Sequence, residues 1–248
     1  MNFRFVLHSF FMALSFFYSS EIKTGVIYFV LNEETSKHVV QVLRMQNGEQ
    51  LQLTDGTGNL FTAEITDNNR KCCAVKILET TGSQRPATNV TIAISLVKNS
   101  TRFEWFLEKA TEIGVCEIVP LLCSRTEKQH FRHDRMKNIL ISAMLQSQQT
   151  WLPVLQEPVK YADYIKNIQQ GEGLQKFIAH CEESEKKQLH QHISASANQL
   201  ICIGPEGDFT KDEIAVAVQN NFVPVALGNT RLRTETAGVV AAALLCIY

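Results

Sequence analysis

The stretch Leu200-Ile-Cys-Ile-Gly-Pro-Glu-Gly-Asp-Phe-Thr-Lys-Asp-Glu213 decides how this chain is read. Residues 200–203 are an apolar run of strand type. Thr210 and Glu213 have the spacing of a capping box and open a helix to about Asn220. Between them lies the tight loop Gly204-Pro205-Glu206-Gly207-Asp208-Phe209. Its two glycines permit close backbone approach, and Pro205 fixes one torsion. Strand, glycine loop and helix in this order form one unit of an α/β sheet. Ligands of open α/β sheets bind beyond the carboxyl ends of the strands, so the loop is a candidate binding element. Its bland alternative is a tight turn carrying a solvated Glu206. Neither G-x-x-x-x-G-K-[ST] nor G-x-G-x-x-G is present, which disfavours the standard nucleotide-phosphate loops.

The same unit repeats outward. Residues 222–227 read as a strand, Gly228 ends it, and residues 234–248 form an Ala-rich helix that is apolar nearly all round. Such a helix is buried on more than one side. Residues 90–97 read as a strand covered on both faces. A helix follows, with Thr101 and Glu104 at capping-box spacing, Phe103, Phe106, Leu107, Ala110 and Ile113 at helical spacing, and Gly114 as its terminator. Residues 115–122 are the next strand, and Asp134 caps a helix carrying Ile139, Leu140, Ala143 and Met144. Residues 177–179 add a short strand. Strands alternating with helices predict a parallel sheet.

Before residue 86 the style differs. Residues 26–31, 50–54, 60–65 and 73–77 are strand candidates, separated by Asn47-Gly48, Asp55-Gly56, Gly58-Asn59 and Asp67-Asn68-Asn69, with one short helix over 36–43. This predicts a small, mostly antiparallel barrel over residues 12–82. Residues 80–86 read as a linker, and residues 86–248 as the α/β domain. The apolar run 5–18 follows Arg4 but has no small-x-small cleavage site, and it is shorter than the roughly 20 residues of a membrane span. Met12 is a plausible start, which makes residues 1–11 a dispensable extension.

With 248 residues, 45% hydrophobic, 20% charged and a net charge of −1, the chain is neither disordered nor a strongly basic, sequence-blind nucleic-acid binder. The 7 Cys are odd in number, Cys72 and Cys73 are adjacent, and no C-x-x-C occurs, which argues against a disulfide framework or a zinc site. Cys116, Cys123, Cys202 and Cys246 read as small core residues of a protein in the reducing cytoplasm. Basic residues are clustered locally. Arg125, Lys128, His130, Arg132, His133, Arg135 and Lys137 are opposed only by Glu127 and Asp134. Such a segment can track a phosphate backbone. Lys98 and Arg102 follow the first α/β strand, while Lys109 and Glu112 can simply pair on their helix. In Leu227-Gly-Asn-Thr-Arg-Leu-Arg-Thr-Glu-Thr236, Thr234 reads as a helix cap and Glu235 as an answer to the helix dipole. Arg231 and Arg233 oppose that dipole, which calls for an anionic partner.

Three blocks, Arg102-Phe-Glu-Trp-Phe-Leu-Glu-Lys-Ala-Thr-Glu-Ile-Gly114, Ile203-Gly-Pro-Glu-Gly207 and Leu232-Arg-Thr-Glu-Thr-Ala237, occur in order and at matching spacing. In these the chain, from about Met12 on, resembles the bacterial 16S rRNA uridine-N3 methyltransferases (RsmE type, SPOUT class). Residues 25–78, with His38, Leu43-Arg44 and Asp55-Gly56-x-Gly58, resemble that family's PUA-like RNA-binding domain. Two departures stand out. Asp208 occupies a position where the family often has a second Gly, and Asn229-Thr-Arg-Leu-Arg233 stands where it often has Pro-Arg-Ile-Leu-Arg. Arg233, Thr234 and Glu235 match position for position.

The resemblance implies an N-terminal PUA-like β-barrel, then a SPOUT α/β domain with a C-terminal trefoil knot. It implies S-adenosylmethionine as cofactor, a homodimer, and 16S rRNA or the small ribosomal subunit as partner, with no metal and no membrane. The implied cofactor residues are His180, Ile203, Gly204, Pro205, Glu206, Gly207, Leu227, Gly228, Leu232, Arg233 and Thr236. Arg233 would stabilise the uracil anion, and Glu206 or Glu235 would orient the base or accept its N3 proton. Arg44, Lys98, Arg102, Arg125, Lys128 and Arg132 would contact RNA. The rival readings are a non-catalytic RNA-binding protein using the barrel and the basic loop, and a small-ligand sensor using the glycine loops.

Overall fold

The computed structural model describes residues 14–85, 87–127, 130–168, 173–182, 186–194 and 197–247. The extension 1–11, Met12, Pro86, Lys128 and Tyr248 lie outside the described residues. The chain divides into two compact units, Met1–Ser83 and Gln84–Tyr248.

In the first unit the elements are β1 (Phe16–Tyr18), β2 (Tyr28–Val30), α1 (Glu33–Lys37), a π-helical turn (His38–Val42), β3 (Gln50–Thr54), β4 (Asn59–Asp67) and β5 (Ala74–Gly82). The strands form a curled sheet in the order β1-β3-β4-β5-β2. Period-two patterning builds its core: Leu51 and Leu53 of β3 alternate with solvent-side residues, as do Phe61, Ala63 and Ile65 of β4. One strand went unread and two expectations need correction. The aromatic run 16–18 is a strand, pairing parallel with β3. Residues 80–82 belong to β5 rather than to a linker, because Asn59, Leu60 and Phe61 of β4 pair with Gly82, Thr81 and Thr80. The short helix is capped by the Asn32 side chain and so begins at Glu33 rather than at Ser36. No ladder joins β1 to β2 among the described residues, so the sheet is curled rather than fully closed.

The second unit contains β6 (Val90–Ser95), α2 (Ser100–Ile113), β7 (Glu117–Leu122), α3 (His133–Gln146), β8 (Val154–Leu155), β9 (Val159–Lys160), α4 (Tyr161–Asn167), β10 (Leu174–Ala179), β11 (Lys187–Gln188), a 3-10 turn (Leu189–Gln191), β12 (Asn198–Ile203), α5 (Lys211–Gln219), β13 (Val223–Ala226) and α6 (Thr234–Ile247). The sheet is parallel and ordered β11-β13-β10-β12-β6-β7-β8, with β9 also beside β7. Alternate residues feed two core layers. Ile92, Ile94, Ile201 and Ile203 pack with Phe103, Phe106 and Leu107 of α2 and Ala241 of α6. Ala93, Leu200 and Cys202 face Tyr161 of α4 and Ala217 of α5.

Local signals explain some helix ends. Gly114 closes α2 in the left-handed region, at φ 99°. Thr210 and Glu213 form a complete capping box on α5. Three caps are corrected. Asn99 caps α2 by accepting from the Thr101 N–H, so Thr101 lies inside the helix and Glu104 instead pairs with Arg135. Asp134 sits in the first turn of α3 without capping it. The Thr234 hydroxyl is spent on the Gly204 carbonyl, 3.0 Å away, rather than on its own helix. Lys109 pairs with Glu112 as anticipated, and also with Glu108. The described cysteines are free thiols; burial pushes Cys123 and Cys246 up to about 12, which makes them poor nucleophiles. No described helix is long and apolar enough to cross a membrane.

Candidate functional site

Because the sheet is parallel, the carboxyl ends of β10, β12 and β13 emerge together. The loops that follow them enclose a cavity of about 710 Å³. Its walls are Ala179, His180, Cys181 and Lys186 at and beyond the end of β10, Ile203 to Glu206 and Asp208 at and beyond the end of β12, and Val225 to Thr234 with Ala237 from the end of β13 to the start of α6.

The β12 loop is held on every side. A Cβ on Gly204 would lie 3.0 Å from the Phe209 ring and 3.1 Å from the Phe209 nitrogen, so glycine lets the loop fold back over that buried ring without displacing it. The Gly204 carbonyl accepts from the Thr234 hydroxyl, tying the loop to the start of α6. Glu206 accepts from the Lys98 N–H at 3.0 Å, linking the loop to the segment after β6. The Arg125 guanidinium donates to the Gly207 carbonyl, and its side chain lies against the Gly207 backbone. Asp208 adopts φ 64°, the conformation that favours glycine at this position. Its carboxylate accepts from the Cys181 N–H at 2.7 Å and from the Phe209 N–H at 2.8 Å, so it clasps the β12 loop to the β10 loop.

On the opposite wall, Gly228 holds φ 114° and donates its N–H to Gln188. A Cβ there would meet nothing within 4 Å, so glycine is required by the torsion rather than by a close neighbour. Arg231 and Arg233 are exposed at the cavity wall, and their guanidinium groups have no hydrogen bond or ion pair among the described residues. Glu235 is different. It is 6% exposed, faces Arg102 at 3.7 Å, and leaves Oε2 buried without a partner among the described residues.

Of the residues singled out in the sequence, His180, Ile203, Gly204, Pro205, Glu206, Leu227, Gly228, Leu232 and Arg233 line the cavity together. Gly207, Thr236 and Glu235 do not; Gly207 turns toward Arg125, and Glu235 is covered by Arg102. Of the basic residues, Lys98 is paired with Glu127 at 2.8 Å, Arg132 is exposed just before α3, and Arg44 lies in the first unit at φ 57°. Sequence reasoning missed Lys186 and Asp208 as wall residues. A Gly-to-Asp change at a tight turn was the signal for Asp208.

An RNA methyltransferase domain model matches residues 83–246, and an RNA methyltransferase PUA domain model matches residues 31–78. The chain belongs to the RNA methyltransferase family. Its fold is the mixed α/β methyltransferase fold joined to a PUA domain. The ribosomal RNA small subunit methyltransferase E of Synechocystis is 31% identical over 212 residues, covering 83% of this chain and 68% of that protein. A crystal structure described as a probable rRNA-methyltransferase from Porphyromonas gingivalis is 37% identical, with a TM-score of 0.86, covering 92% of this chain and 95% of that one. The ribosomal RNA small subunit methyltransferase E of Neisseria gonorrhoeae, solved bound to S-adenosylmethionine, is 27% identical, with a TM-score of 0.82, covering 93% and 95%. Among the described residues of this RNA methyltransferase, no His, Cys, Asp and Glu group is arranged to hold a metal ion.

Proposed function

We propose that this RNA methyltransferase transfers a methyl group from S-adenosylmethionine to N3 of a specific uridine in the 16S rRNA of the small ribosomal subunit. The observation that carries the reading is the cavity at the carboxyl ends of β10, β12 and β13, which is bounded by two of the three sequence blocks that carry the resemblance, Ile203–Gly207 and Leu232–Ala237. Its volume, about 710 Å³, lies in the ordinary range for a small-molecule site. Its lining also fits the cofactor. Ile203, Val225, Leu227 and Leu232 offer apolar walls for an adenosine, and the exposed backbone at Gly228, whose N–H is held by Gln188, offers its carbonyl beside them. The bound cofactor supplies an electrophilic methyl group on a sulfonium.

The protein's part is placement and charge. Arg233 has no partner among the described residues, so its guanidinium is available to the negative charge that develops on the uracil as N3 loses its proton. Glu206 lines the cavity with one carboxylate oxygen on the Lys98 N–H, which orients the group and leaves it accessible to accept that proton. Glu235, outside the cavity and beneath Arg102, is assigned to holding Arg102. Lys98, Arg102, Arg132 and the unit over residues 12–82, with Arg44, are assigned to RNA, and residues 86–248 to methyl transfer.

A trefoil knot is part of the proposal. β13 lies on the far side of β10, yet α6 packs on α2 and beside β6 and β12, so the chain must cross back past the β12 loop to which Thr234 is bonded. A cytoplasmic homodimer that covers the partly exposed Val239, Val240 and Leu244 of α6 completes the reading. The test is mass spectrometry of 16S rRNA from a deletion strain, with and without the restored gene. Loss and return of one 3-methyluridine is the expected result; rRNA that keeps its full set of methyluridines overturns the proposal.

A further inference from the structure

Lys186 is a wall residue of the cavity, and the reading above gives it no part. Its Nζ reaches three acceptors on the loop after β10: the His180 carbonyl at 2.8 Å, His180 Nδ1 at 3.3 Å, and the Glu182 carbonyl. An ammonium has three N–H donors and no lone pair, so every contact it makes is a donation. His180 Nδ1 is therefore the acceptor, and the ring proton of a neutral His180 resides on Nε2. That atom is buried and has no partner among the described residues, although the residue lines the cavity. Buried donors are almost always satisfied, and an unsatisfied one on a residue of the cavity wall is suited to a ligand.

We infer that Lys186 is a positioning residue whose three protons lock His180 as the Nε2–H tautomer, which donates to an oxygen acceptor of the cofactor in the cavity. The inference rests on the cofactor reading above. The charged groups around the ring agree with a neutral imidazole. Burial, and then the Lys186 charge, hold His180 below its ordinary value, against the opposite pull of Asp208 and Glu182. Glu206, Arg231 and Arg233 also line the cavity. All three Lys186 protons are engaged on the loop, so Lys186 itself offers none to the ligand. Two acceptors of the cofactor share the required chemistry: a ribose hydroxyl oxygen and the carboxylate of the methionine moiety.

The test uses the full chain, labelled with ¹⁵N-histidine, and long-range proton–nitrogen spectra of the free protein near pH 7.5. The wild type is expected to show His180 as the Nε2–H tautomer, and Lys186→Met to show a mixture with Nδ1–H. Calorimetric titration with S-adenosylmethionine should then find His180→Phe and Lys186→Met weakened by about tenfold, the usual scale for one lost hydrogen bond. His180→Gln, which restores an amide donor near the Nε2 position, should stay within about threefold of wild type, and it guards against a variant that merely misfolds. Methylthioadenosine lacks the amino-acid moiety. If His180→Phe weakens its binding as well, the acceptor is on the ribose; if only S-adenosylmethionine is affected, it is the carboxylate. An Nδ1–H tautomer in the wild type, or unchanged affinity in His180→Phe, overturns the inference. A wild type that does not bind S-adenosylmethionine overturns the cofactor reading instead, and with it the ligand half of the inference, while the tautomer spectra still decide the role of Lys186.

Discussion

Gly238, one turn into α6, sets local propensity against packing, and the two predict opposite signs. Glycine inside a helix costs about 0.5–1 kcal/mol relative to alanine, so Gly238→Ala considered alone should stabilise the protein. The structure says otherwise. A Cβ at this position would lie 2.6 Å from Phe106 Cε2 and 2.8 Å from both Phe106 Cδ2 and Ile94 Cδ1. Carbon atoms in comfortable contact stand roughly 3.5–4.0 Å apart, so α6 would have to part from α2 and β6 by about 1 Å. Phe106 and Ile94 are fully buried and have no solvent side to retreat to. Overpacking of this kind costs about 1–3 kcal/mol, which outweighs the propensity gain and leaves a net loss of about 1–2 kcal/mol. For a unit of this size that lowers the melting temperature by about 2–8 °C. Differential scanning calorimetry on the transition of the α/β unit is the assay. Since α6 begins at Thr234, which is bonded to the cavity loop, S-adenosylmethionine affinity should fall as well. A melting temperature that rises by a degree or more would refute the argument that close helix packing dictates this glycine.

Other outcomes follow from the same geometry. Arg233→Ala should keep the fold and most of the cofactor affinity but lower single-turnover methylation by about 100-fold at saturating RNA. Arg125→Ala, which frees the Gly207 carbonyl, should weaken S-adenosylmethionine about fivefold as well as RNA; calorimetry that finds only RNA binding affected would contradict the contact. Gly228→Val forces a branched side chain into φ 114° at a cost of about 1–3 kcal/mol, so the cofactor titration should weaken tenfold or more while the curled sheet of the first unit keeps its circular dichroism. The depressed His180 value gives a pH signature. Above 6.5 the ring is neutral in both folded and unfolded chains and adds nothing; as the pH falls below 6.5 the unfolded chain takes up a proton that the folded ring resists, so stability declines. His180→Phe should lose that acid-side component in urea titrations run from pH 7.5 down to 5.5.

What the sequence revealed and what it hid have a common physical origin. β3, the terminator Gly114 and the Thr210–Glu213 cap were legible because period-two burial, positive φ and capping are local effects, and local effects are written in adjacent residues. The cap of α2 was misassigned because the Asn99 side chain accepts from the Thr101 N–H, so the helix starts at Ser100 and Thr101 is already inside it. Thr234 looked like a cap, but its hydroxyl answers a carbonyl 30 positions away, a contact no periodicity encodes. β8, β9 and β11 are two residues each, too short to carry a pattern. Part of the cavity wall was nameable because the glycines and the apolar strand ends have torsional and packing reasons to be there. Arg125 was legible as a cation but not as a support for Gly207, and Lys186 not at all, because both roles depend on which loops the fold brings side by side.

The strand order also carries a consequence for how the chain is made. β12 is flanked by β6 on one side and β10 on the other, and its ladder to β6 joins Ile201 to Ile92 and Ile203 to Ile94, more than 100 positions apart. During synthesis β6 and β7 can pair early, but the other edge of β6 stays open until β12 emerges. That edge is lined with isoleucine and is a template for wrong pairing. Loop closure over such a separation is slow, and α6, which seals the same layer, arrives later still. The α/β unit therefore completes its sheet only after β12 and β13 have left the ribosome. Its period of greatest exposure to aggregation is set by the speed of the ribosome rather than by the stability of the finished fold.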